Sequence, residues 1–324
     1  MERPEVMNWK PTASIEVLRR RAQMLADVRR FFADRDVLEI ETPTLSSAAN
    51  TDPVLHSLSL TSDDSKKQFY LHTSPEHAMK RLLVAGSGSI FQIARVYRAG
   101  ERGRFHQPEF SLLEWYRVGF DYHQLMAEVV ELLQLLVPEL LGPRAALKMT
   151  YADVFRCYVG IDVGSASAAD LASALASHDI QFVADELDHR VLVDLLFSHV
   201  VQPQLGRDDI TLVYDYPVDQ ASLAFVRAGS EPVAERFEVF VDGVELGNGY
   251  RELTDAIEQR HRFETDNQRR LLQGLPAMPI DEAFLAALRH GLPECSGVAL
   301  GLDRLMMLLV GVDDITQVIS FPID

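Results

Sequence analysis

The stretch GVALGLDRL, residues 297–305, leads into the apolar run LMMLLV at 305–310. A strand of small residues followed by a buried helix is the simplest interpretation of this pattern. The helix would carry Arg304 in its first turn, although a guanidinium cannot lose its charge and needs an anionic partner when buried. That partner is either Asp303 or a neighbouring carboxylate, which would make a structural ion pair, or it is a ligand. On this stretch alone the ion pair is the simpler explanation.

The composition excludes several classes of protein. The chain has 324 residues, 47% of them hydrophobic, and its 31 basic and 48 acidic residues give a formal net charge of −17. A basic nucleic-acid binder is disfavoured, because the phosphate backbone would be repelled. Cys157 and Cys295 show no CxxC spacing, the N-terminus lacks an apolar h-region, and no apolar run reaches membrane-spanning length. We expect a cytoplasmic protein.

Apolar spacing and capping signals divide the chain into elements. Helices are predicted over about 14–34, over 72–86 with Ser74 as N-cap and Pro75 at the first helical position, over 121–137, 254–273 and 281–290, and from 302 onward. Within the stretch 37–46, a strand is predicted that ends at Thr42-Pro43. Further strands are predicted over 90–98, 109–120 and 209–217, over 233–253 with a hairpin turn at 241–244, and over 295–301. Residues 47–68 are predicted to form a surface hairpin or loop.

The order of these elements indicates the fold class. Strands joined by short turns outnumber strand–helix–strand crossovers, which favours an antiparallel β-sheet flanked by helices, an α+β fold. The alanine-rich segment at about 144–205 has little that could do chemistry, and we interpret it as an inserted helical region. We therefore expect one catalytic-type domain over 1–324 that contains this insertion.

Two carboxylates on the predicted hairpin are candidates for chemistry. Glu238 and Glu245 lie on either side of a tight turn, so they can approach each other across the two strands. Paired carboxylates are hard oxygen ligands of the kind that Mg²⁺ prefers, and Mg²⁺ usually accompanies a triphosphate. The alternative is that they form ion pairs with Arg236 and Arg251.

Other features are also compatible with a phosphate-containing ligand, but they do not identify the chemistry. Arg98 and Arg304 are natural partners for a phosphate or a carboxylate. The glycines of GNGYREL (247–253) would permit close approach of a ligand, and a β-bulge would explain them equally well. His106 has no His or Cys partner at zinc-site spacing. The sequence contains no P-loop, nucleophile elbow or Rossmann fingerprint, so any use of ATP requires another architecture.

Three of these stretches resemble the three motifs of class II aminoacyl-tRNA synthetases, in the correct order. VLEIETPTL (37–45) resembles motif 1, the dimer-interface strand that ends in proline. IFQIARVYR (90–98) with FHQPEFSLLEWY (105–116) resembles motif 2, and GVALGLDRL resembles motif 3. The resemblance covers nearly the whole chain. Within the class, TSPE (73–76), PEFSLLEWY and ERFEVFVDGVELGNGYREL (235–253) are similar to lysyl-tRNA synthetase.

A lysyl-type core of this length, without the OB-fold that reads the anticodon, closely resembles the elongation factor P–(R)-β-lysine ligase family. The resemblance implies ATP and Mg²⁺ as cofactors and a homodimer formed through motif 1. It implies activation of (R)-β-lysine as an aminoacyl-adenylate. The β-lysyl group would then pass to the ε-amino group of a lysine on translation elongation factor P, so no tRNA and no membrane would be involved.

The resemblance also implies roles for residues in an ATP site. Arg98 would bind the α-phosphate and the substrate carboxylate, Phe110 would stack on adenine with Arg304 on its other face, and Glu238 with Glu245 would hold Mg²⁺. Arg98 and Arg304 would thus be the catalytic pair. The implied ATP-binding set is Arg98, Ala99, Gly100, Glu101, Gln107, Phe110, Glu245, Leu246, Gly301 and Arg304.

The implied amino-acid site has two ends. Glu76 would accept the amino group near the carboxylate, and Glu252 with Tyr116 would hold the far ammonium, which selects a lysine-like chain. The implied substrate-binding set is Ser74, Pro75, Glu76, Tyr116, Glu252 and Ala299.

Three positions depart from the family pattern. Motif 2 usually reads Arg-x-Glu, whereas here Glu101 comes one residue later, and Gln107 stands where asparagine is usual. Ala299 stands where lysyl-tRNA synthetase has glycine. The added methyl group would crowd the space beside an α-amino group and favour a β-amino substrate, and one methyl typically discriminates by about 1–3 kcal/mol.

Two alternatives remain at this point. One is a lysine-activating synthetase paralogue with a different acceptor, whose substrate pocket would be the same. The other is a non-catalytic amino-acid sensor. The presence of Arg98, Glu238, Glu245 and Arg304 counts against the sensor, because a sensor has no need of an ATP site.

Overall fold

A computed structural model describes residues 9–181 and 188–323, so the predicted range 1–324 and the segment 144–205 each include positions outside the described residues. Its α-helices are α1 (Ile15–Ala33), α2 (Glu76–Val84), α3 (Tyr122–Leu136), α4 (Pro138–Leu141), α5 (Tyr151–Tyr158), α6 (Ala168–Ser177), α7 (His189–Leu196), α8 (Ala256–Leu272), α9 (Glu282–Gly291) and α10 (Leu302–Val310). Its strands are β1 (Leu38–Glu39), β2 (Leu45–Ser46), β3 (Ser59–Thr61), β4 (Gln68–Leu71), β5 (Ile90–Tyr97), β6 (Glu109–Val118), β7 (Ala146–Thr150), β8 (Ile210–Tyr216), β9 (Val226–Arg227), β10 (Val233–Val241), β11 (Val244–Arg251) and β12 (Cys295–Gly301).

The main sheet has the strand order β1-β5-β6-β12-β11-β10-β8-β7, and β9 pairs with β10. Every pairing from β5 to β8 is antiparallel, as the sequence predicts. The two outermost pairs, β1 with β5 and β7 with β8, are parallel, so the sheet is mixed rather than purely antiparallel. A second sheet has the order β2-β4-β3.

Alternation along the strands separates a core face from a cleft face. On β6, Leu113 and Trp115 belong to the main hydrophobic core together with residues of α1, α3 and α10. A cleft lies on the other face of the sheet, and β6 contributes the alternate residues Leu112, Glu114 and Tyr116 to its lining. One face of the sheet is therefore closed by helices, and the opposite face is free to hold a ligand.

The hairpin between β10 and β11 turns where the sequence predicts it. Asp242 has φ +50° and Gly243 has φ +76°, which are the left-handed conformations that a type I′ turn requires. The register shifts between Val239 and Phe240 of β10, and the extra residue is Leu246 of β11, directly beside Gly247. A Cβ atom on Gly249 would lie 2.6 Å from the ring of Phe237, so packing across the hairpin explains this glycine.

Two local predictions are wrong in detail. The strand predicted to end at Thr42-Pro43 is only Leu38–Glu39 (β1), and beyond Pro43, which cannot donate a ladder hydrogen bond, β2 joins a different sheet. The N-cap of α2 is Pro75 rather than Ser74. The Ser74 hydroxyl accepts a hydrogen bond from the Glu76 N–H (3.0 Å) and donates one to the buried Glu114 carboxylate (2.7 Å).

The segment 144–205 is mainly helical, as predicted, but it begins with β7, which extends the main sheet beside β8. Its helices α5, α6 and α7 enclose a second hydrophobic cluster. Residues of β8 and β10, including Tyr216 and Phe240, complete that cluster. The segment is thus attached to the edge of the sheet through both backbone pairing and packing.

One ion pair joins the first and last long elements of the core. Arg21 on α1 contacts Asp303 on α10 at 2.6 Å, and Asp303 also accepts from the Ser111 N–H at 2.7 Å. We expect Asp303→Ala to lower the free energy of unfolding by about 3 kcal/mol, because it leaves a largely buried guanidinium unpaired. Urea denaturation measures this loss. Asp313→Ala, which removes an exposed ion pair with Arg104, should cost less than about 1 kcal/mol, and equal losses would contradict the prediction.

Candidate active site

The cleft has a volume of about 1420 Å³ and rests on four adjacent strands, β6, β12, β11 and β10. Strand register aligns its residues in rows, since directly opposed residues on neighbouring strands point to the same face. The first row consists of Glu114, Ala299, Asn248 and Glu238. The second row consists of Tyr116, Gly297, Tyr250 and Arg236. The cleft floor therefore carries charges of both signs.

The structure brings most of the predicted residues to this one cleft. Those that line it are Ser74, Pro75, Glu76, Arg98, Glu101, Gln107, Phe110, Tyr116, Glu238, Glu245, Leu246, Glu252, Ala299, Gly301 and Arg304. Ala99 and Gly100 are not among the lining residues. They form the turn after β5, where the Ala99 N–H donates to the His56 carbonyl (2.7 Å) and Gly100 has φ +81°.

Arg98 lies at the end of β5, and its guanidinium has a hydrogen-bond donor that no described residue accepts from. Its closest acid is Glu101, at 3.5 Å, and its guanidinium carbon lies 4.9 Å from the centre of the Phe110 ring. Its Nε is buried and has no hydrogen-bond partner within residues 9–181 and 188–323. A buried donor without a partner is costly, so this arrangement fits an anionic ligand.

Arg304 is not paired with Asp303, which contacts Arg21 instead. Its guanidinium donates to the backbone carbonyl of Glu245 (2.8 Å) and to that of Phe105 (3.3 Å), and it lies 2.8 Å from Nε2 of His106. Its nearest carboxylate oxygen, on Glu245, is 4.0 Å away. Asp303 is therefore not its partner, and the ion pair with Glu245 is at the limit of contact, so backbone carbonyls and His106 supply the close contacts of the guanidinium.

His106 completes the surroundings of Arg304. Burial lowers the pKa of His106, and the positive charge of Arg304 lowers it further. A neutral imidazole can offer the Nε2 lone pair to the guanidinium. The loop 101–106 therefore presents Arg304 toward the cleft without neutralising it.

Glu238 and Glu245 form the predicted pair of carboxylates. Glu238 accepts a hydrogen bond from the Tyr216 hydroxyl (2.7 Å) and contacts Arg236 (2.5 Å), as the structural alternative proposes. Arg251, in contrast, pairs with Glu235 and Glu294 rather than with Glu245. Burial raises the pKa of Glu238, and the charge of Glu245 raises it further.

This excess of negative charge fits a bound cation. No group of three or more His, Cys, Asp or Glu side chains in metal-binding proximity occurs in the described part of the chain. Two carboxylates can still hold Mg²⁺ when the substrate's phosphate oxygens and water supply its remaining ligands. Glu238 and Glu245 are the residues that would do so.

A cluster of acids and hydroxyls closes one end of the cleft. Glu114, which is 2% exposed, accepts hydrogen bonds from the hydroxyls of Ser74 and Tyr116, both at 2.7 Å. Burial and the nearby charge of Glu76 raise the pKa of Glu114 to about 7, against the opposing effect of these two hydrogen bonds. Burying this carboxylate favours a cationic ligand beside it.

Glu252 lies beside this cluster, opposite an internal lysine. Its Oε2 is 2.5 Å from the ammonium of Lys80, which is also 2.5 Å from Glu76. Its Oε1 has no hydrogen-bond partner among the residues that the structure describes. A Cβ atom on Gly297 would lie 2.6 Å from that oxygen and 2.3 Å from the Tyr116 ring, so only glycine leaves this end of the cleft open.

Sequence reasoning missed several of these residues. The sequence patterns do not single out Glu114 or Lys80, although the spacing of four between Lys80 and Glu76 on a helix signals an ion pair. Gln259 on α8 is fully buried and lines the cleft, and both polar atoms of its amide lack partners within the described ranges. No sequence signal distinguishes it.

The segment 144–205 also contributes to the cleft, contrary to the expectation that it has little chemistry. Tyr151, Arg190 and Asp194 line one wall. Burial raises the pKa of Asp194. The wall facing β10 is therefore polar and built partly by this segment.

The raised pKa of Glu114 predicts a dependence of stability on pH. Because its pKa in the folded chain lies above the ordinary value of 4.5, the folded state binds this proton more tightly than the unfolded state. The proton on Glu114 therefore stabilises the folded state fully at low pH, and this stabilisation is lost as the pH rises through about 7. We expect the melting temperature of Glu114→Gln, relative to wild type, to rise between pH 5 and pH 8. Parallel melting curves across this range would contradict the assignment.

Comparison with known proteins identifies the family. The family model for class II tRNA synthetases (D, K and N) matches residues 3–324. The chain belongs to this family, which confirms the predicted α+β synthetase fold and the prediction of an enzyme. The chain is 49% identical over 324 residues to "Elongation factor P--(R)-beta-lysine ligase" of Proteus mirabilis (strain HI4320), and the match covers 98% of each chain. Among the described helices, none has the length and apolar character needed to cross a membrane.

Proposed function

We propose that this enzyme uses ATP to activate (R)-β-lysine and transfers the β-lysyl group to the ε-amino group of a lysine on translation elongation factor P. The relative from Proteus mirabilis, which is 49% identical over 98% of each chain, is named "Elongation factor P--(R)-beta-lysine ligase". The observation that carries the proposal is the layout of one cleft. Arg98 and Arg304 lie at its anion-binding part, and Glu76, Glu114 and Glu252 form an acidic part suited to ammonium groups.

In the first step, a carboxylate oxygen of β-lysine attacks the α-phosphorus of ATP, and the bond to the β-phosphate breaks to release pyrophosphate. Arg98 stabilises the negative charge that develops on the α-phosphate, using donor capacity that the protein leaves unpaired. Phe110 and Arg304 hold the adenine. Glu238 and Glu245 would hold Mg²⁺, which would neutralise charge on the phosphates.

In the second step, the neutral ε-amine of the acceptor lysine attacks the carbonyl carbon of the adenylate. The carbon–oxygen bond to the phosphate breaks, AMP leaves, and the amine nitrogen loses a proton as the amide forms. Arg98 stabilises the departing phosphate in this step also, because the same anion is regenerated. The products are β-lysyl-elongation factor P, AMP and pyrophosphate.

Amino-acid selection rests on charge and burial. Glu76 accepts the amino group near the carboxylate, and Glu252 receives the far ammonium on its free Oε1. Tyr116 and Ser74 hold Glu114 in place beside them. A buried acidic cluster rejects neutral side chains, since its carboxylates would remain desolvated without a cation.

The domain organisation, the oligomeric state and the location of the enzyme are also part of this proposal. We propose a single catalytic domain in which 144–205 is an insertion that supplies one wall of the cleft. Leu38 and Leu45, at 55% and 45% exposure, support a homodimer formed through the segment 37–46, as the resemblance to motif 1 implies. A cytoplasmic location is consistent with an acceptor that works in translation.

Pyrophosphate exchange tests the first step. Exchange with ATP should be fastest with (R)-β-lysine when it is compared with (S)-β-lysine and α-lysine, and mass spectrometry should then show elongation factor P gaining one lysyl unit. Exchange without transfer would indicate a synthetase paralogue with another acceptor. Amino-acid binding without exchange would indicate a sensor.

Ala299→Gly tests the proposed preference for a β-amino substrate. Ala299 lies opposite Glu114 on the cleft floor, where its methyl group narrows the space next to the substrate's amino group. Removing the methyl should improve kcat/KM for α-lysine relative to (R)-β-lysine by about 10-fold or more. An unchanged ratio would show that this methyl does not set the preference.

A further inference from the structure

Lys80 is an internal cation that lies behind the amino-acid site. Its side chain is fully buried on α2, and it is not among the residues that line the cleft, although both of its acidic partners are. Its ammonium bridges Glu76 and Glu252 at 2.5 Å each. These are the two carboxylates to which the proposed function assigns opposite ends of the substrate.

The charges at this end of the cleft can be counted. Glu76, Glu114 and Glu252 contribute three negative charges when ionised, and Lys80 contributes one positive charge. The remainder, two negative charges, equals the two ammonium groups of a lysine isomer. A buried site with unequal charge would force one group to change its protonation state.

We infer that Lys80 is a positioning residue that fixes the spacing of Glu76 and Glu252 and sets the charge of the site to match a diammonium substrate. This inference rests on the proposed function, since it concerns the same site. The bridge is rigid because a short helix holds Lys80 and Glu76 four residues apart, while β11 ends next to Glu252. The distance between the two carboxylates then acts as a length selector for the substrate.

Protonation in this cluster depends on Lys80. Burial raises the pKa of Glu252, and the Lys80 charge opposes this rise. Burial alone would lower the pKa of Lys80, but its two carboxylate partners raise it instead. Other titratable groups facing the cluster, from β6, β11 and β12 respectively, are Tyr116, Tyr250 and Cys295; burial raises the pKa of each. The centre of the Phe284 ring on α9 lies 5.7 Å from the ammonium, and this ring carries no charge.

Lys80→Met tests the inference, because methionine keeps most of the unbranched stem and removes the charge. In the wild type the pKa of Glu252 is raised to about 8 even with Lys80 beside it. Without the ammonium it rises further, so a smaller fraction of Glu252 is ionised at pH 7 and its attraction for the far ammonium weakens. We expect KM for (R)-β-lysine to rise about 10-fold to 30-fold at pH 7, and the defect to shrink at pH 8.5 as Glu252 ionises. KM for ATP should stay within about 2-fold of wild type, since Lys80 is remote from the ATP contacts.

Lys80→Arg is the matched variant, since it retains the positive charge. It should show little pH dependence of the defect even if its larger head group raises KM. Lys80→Gln replaces the methionine variant if that protein melts at a lower temperature than wild type. A neutral variant with an unchanged KM, or with a defect that is the same at pH 7 and pH 8.5, would overturn the inference.

Calorimetric titration with (R)-β-lysine separates this inference from the proposed function. Wild type that binds the amino acid but exchanges no pyrophosphate would refute the proposed function, and the Kd values of the Lys80 variants would still test the inference. Wild type that exchanges normally, with neutral Lys80 variants that bind and exchange equally well at every pH, would refute the inference alone. Wild type that neither binds nor exchanges any lysine isomer would refute both.

Discussion

Arg98→Ala should reduce the rate of ATP–pyrophosphate exchange by about 10³-fold, the largest loss that we expect from a single substitution. The guanidinium of Arg98 has a buried Nε without a partner in the described ranges, and its only acid, Glu101, is at 3.5 Å. Charge that develops on the α-phosphate during adenylate formation would therefore find a preorganised donor. Because the interaction with the α-phosphate strengthens in the transition state, the loss should fall mainly on kcat, with a smaller rise in KM for lysine, whose carboxylate Arg98 would also bind.

Arg102→Ala is the matched control for this experiment. Arg102 belongs to the same loop as Glu101 but is exposed and does not line the cleft. Its replacement should leave exchange within about 2-fold of wild type. Equal losses in the two variants would indicate a general effect of positive charge on this loop. A fully active Arg98→Ala variant would remove Arg98 from the mechanism.

Glu252→Gln should raise KM for (R)-β-lysine by about 100-fold at pH 7 while KM for ATP stays nearly constant. Glutamine has almost the same shape as glutamate, but it can neither compensate the far ammonium nor pair with Lys80. Truncating one member of a buried charge pair costs about 2–5 kcal/mol, much of it from the partner left behind. Steady-state exchange kinetics with varied lysine and varied ATP measure both constants.

The neighbouring acid Glu294 provides a control for this second substitution. It is 71% exposed at its side chain and pairs with Arg251 at the start of β12. Glu294→Gln should change KM for lysine by less than about 3-fold, because an exposed ion pair contributes little. If both variants raise KM equally, the acidic cluster acts through its long-range field rather than through direct contact with the ammonium.

Local patterns predicted the elements whose geometry is determined by a few neighbouring residues. The turn at Asp242 and Gly243 follows from residues that tolerate positive φ, and the strand–helix junction at 297–305 follows from its small and apolar residues. The helix after Ser74 begins one residue later than the capping signal predicts, and the Ser74 hydroxyl also donates to Glu114, forty positions along the chain. The same hydroxyl still accepts from the Glu76 N–H, so the two contacts coexist, and a capping signal shows only the local one.

The candidate site was predicted mostly through resemblance to a family, and the structure added the groups that lie behind it. Pattern alone left Arg304 between two explanations, and only the tertiary structure shows that Asp303 belongs to Arg21, 282 positions away. The alternative that Glu238 and Glu245 form ion pairs with Arg236 and Arg251 is confirmed for Arg236, which contacts Glu238. Arg251 was assigned wrongly, because it pairs with Glu235 on the adjacent strand β10 and with Glu294, which becomes its neighbour when β12 pairs with β11.

By itself, the sequence determined the family, the helix and strand types over most of the chain, and the hairpin turn at 241–244. These depend on local propensity, on turn chemistry and on the two-residue alternation of strands, all of which are properties of neighbouring residues. Only the tertiary structure decided the row from Glu114 through Ala299 to Glu238, and the position of Lys80 between two acids. Charges pair according to distance in space, and β12 inserts between β6 and β11 although it comes last in the chain.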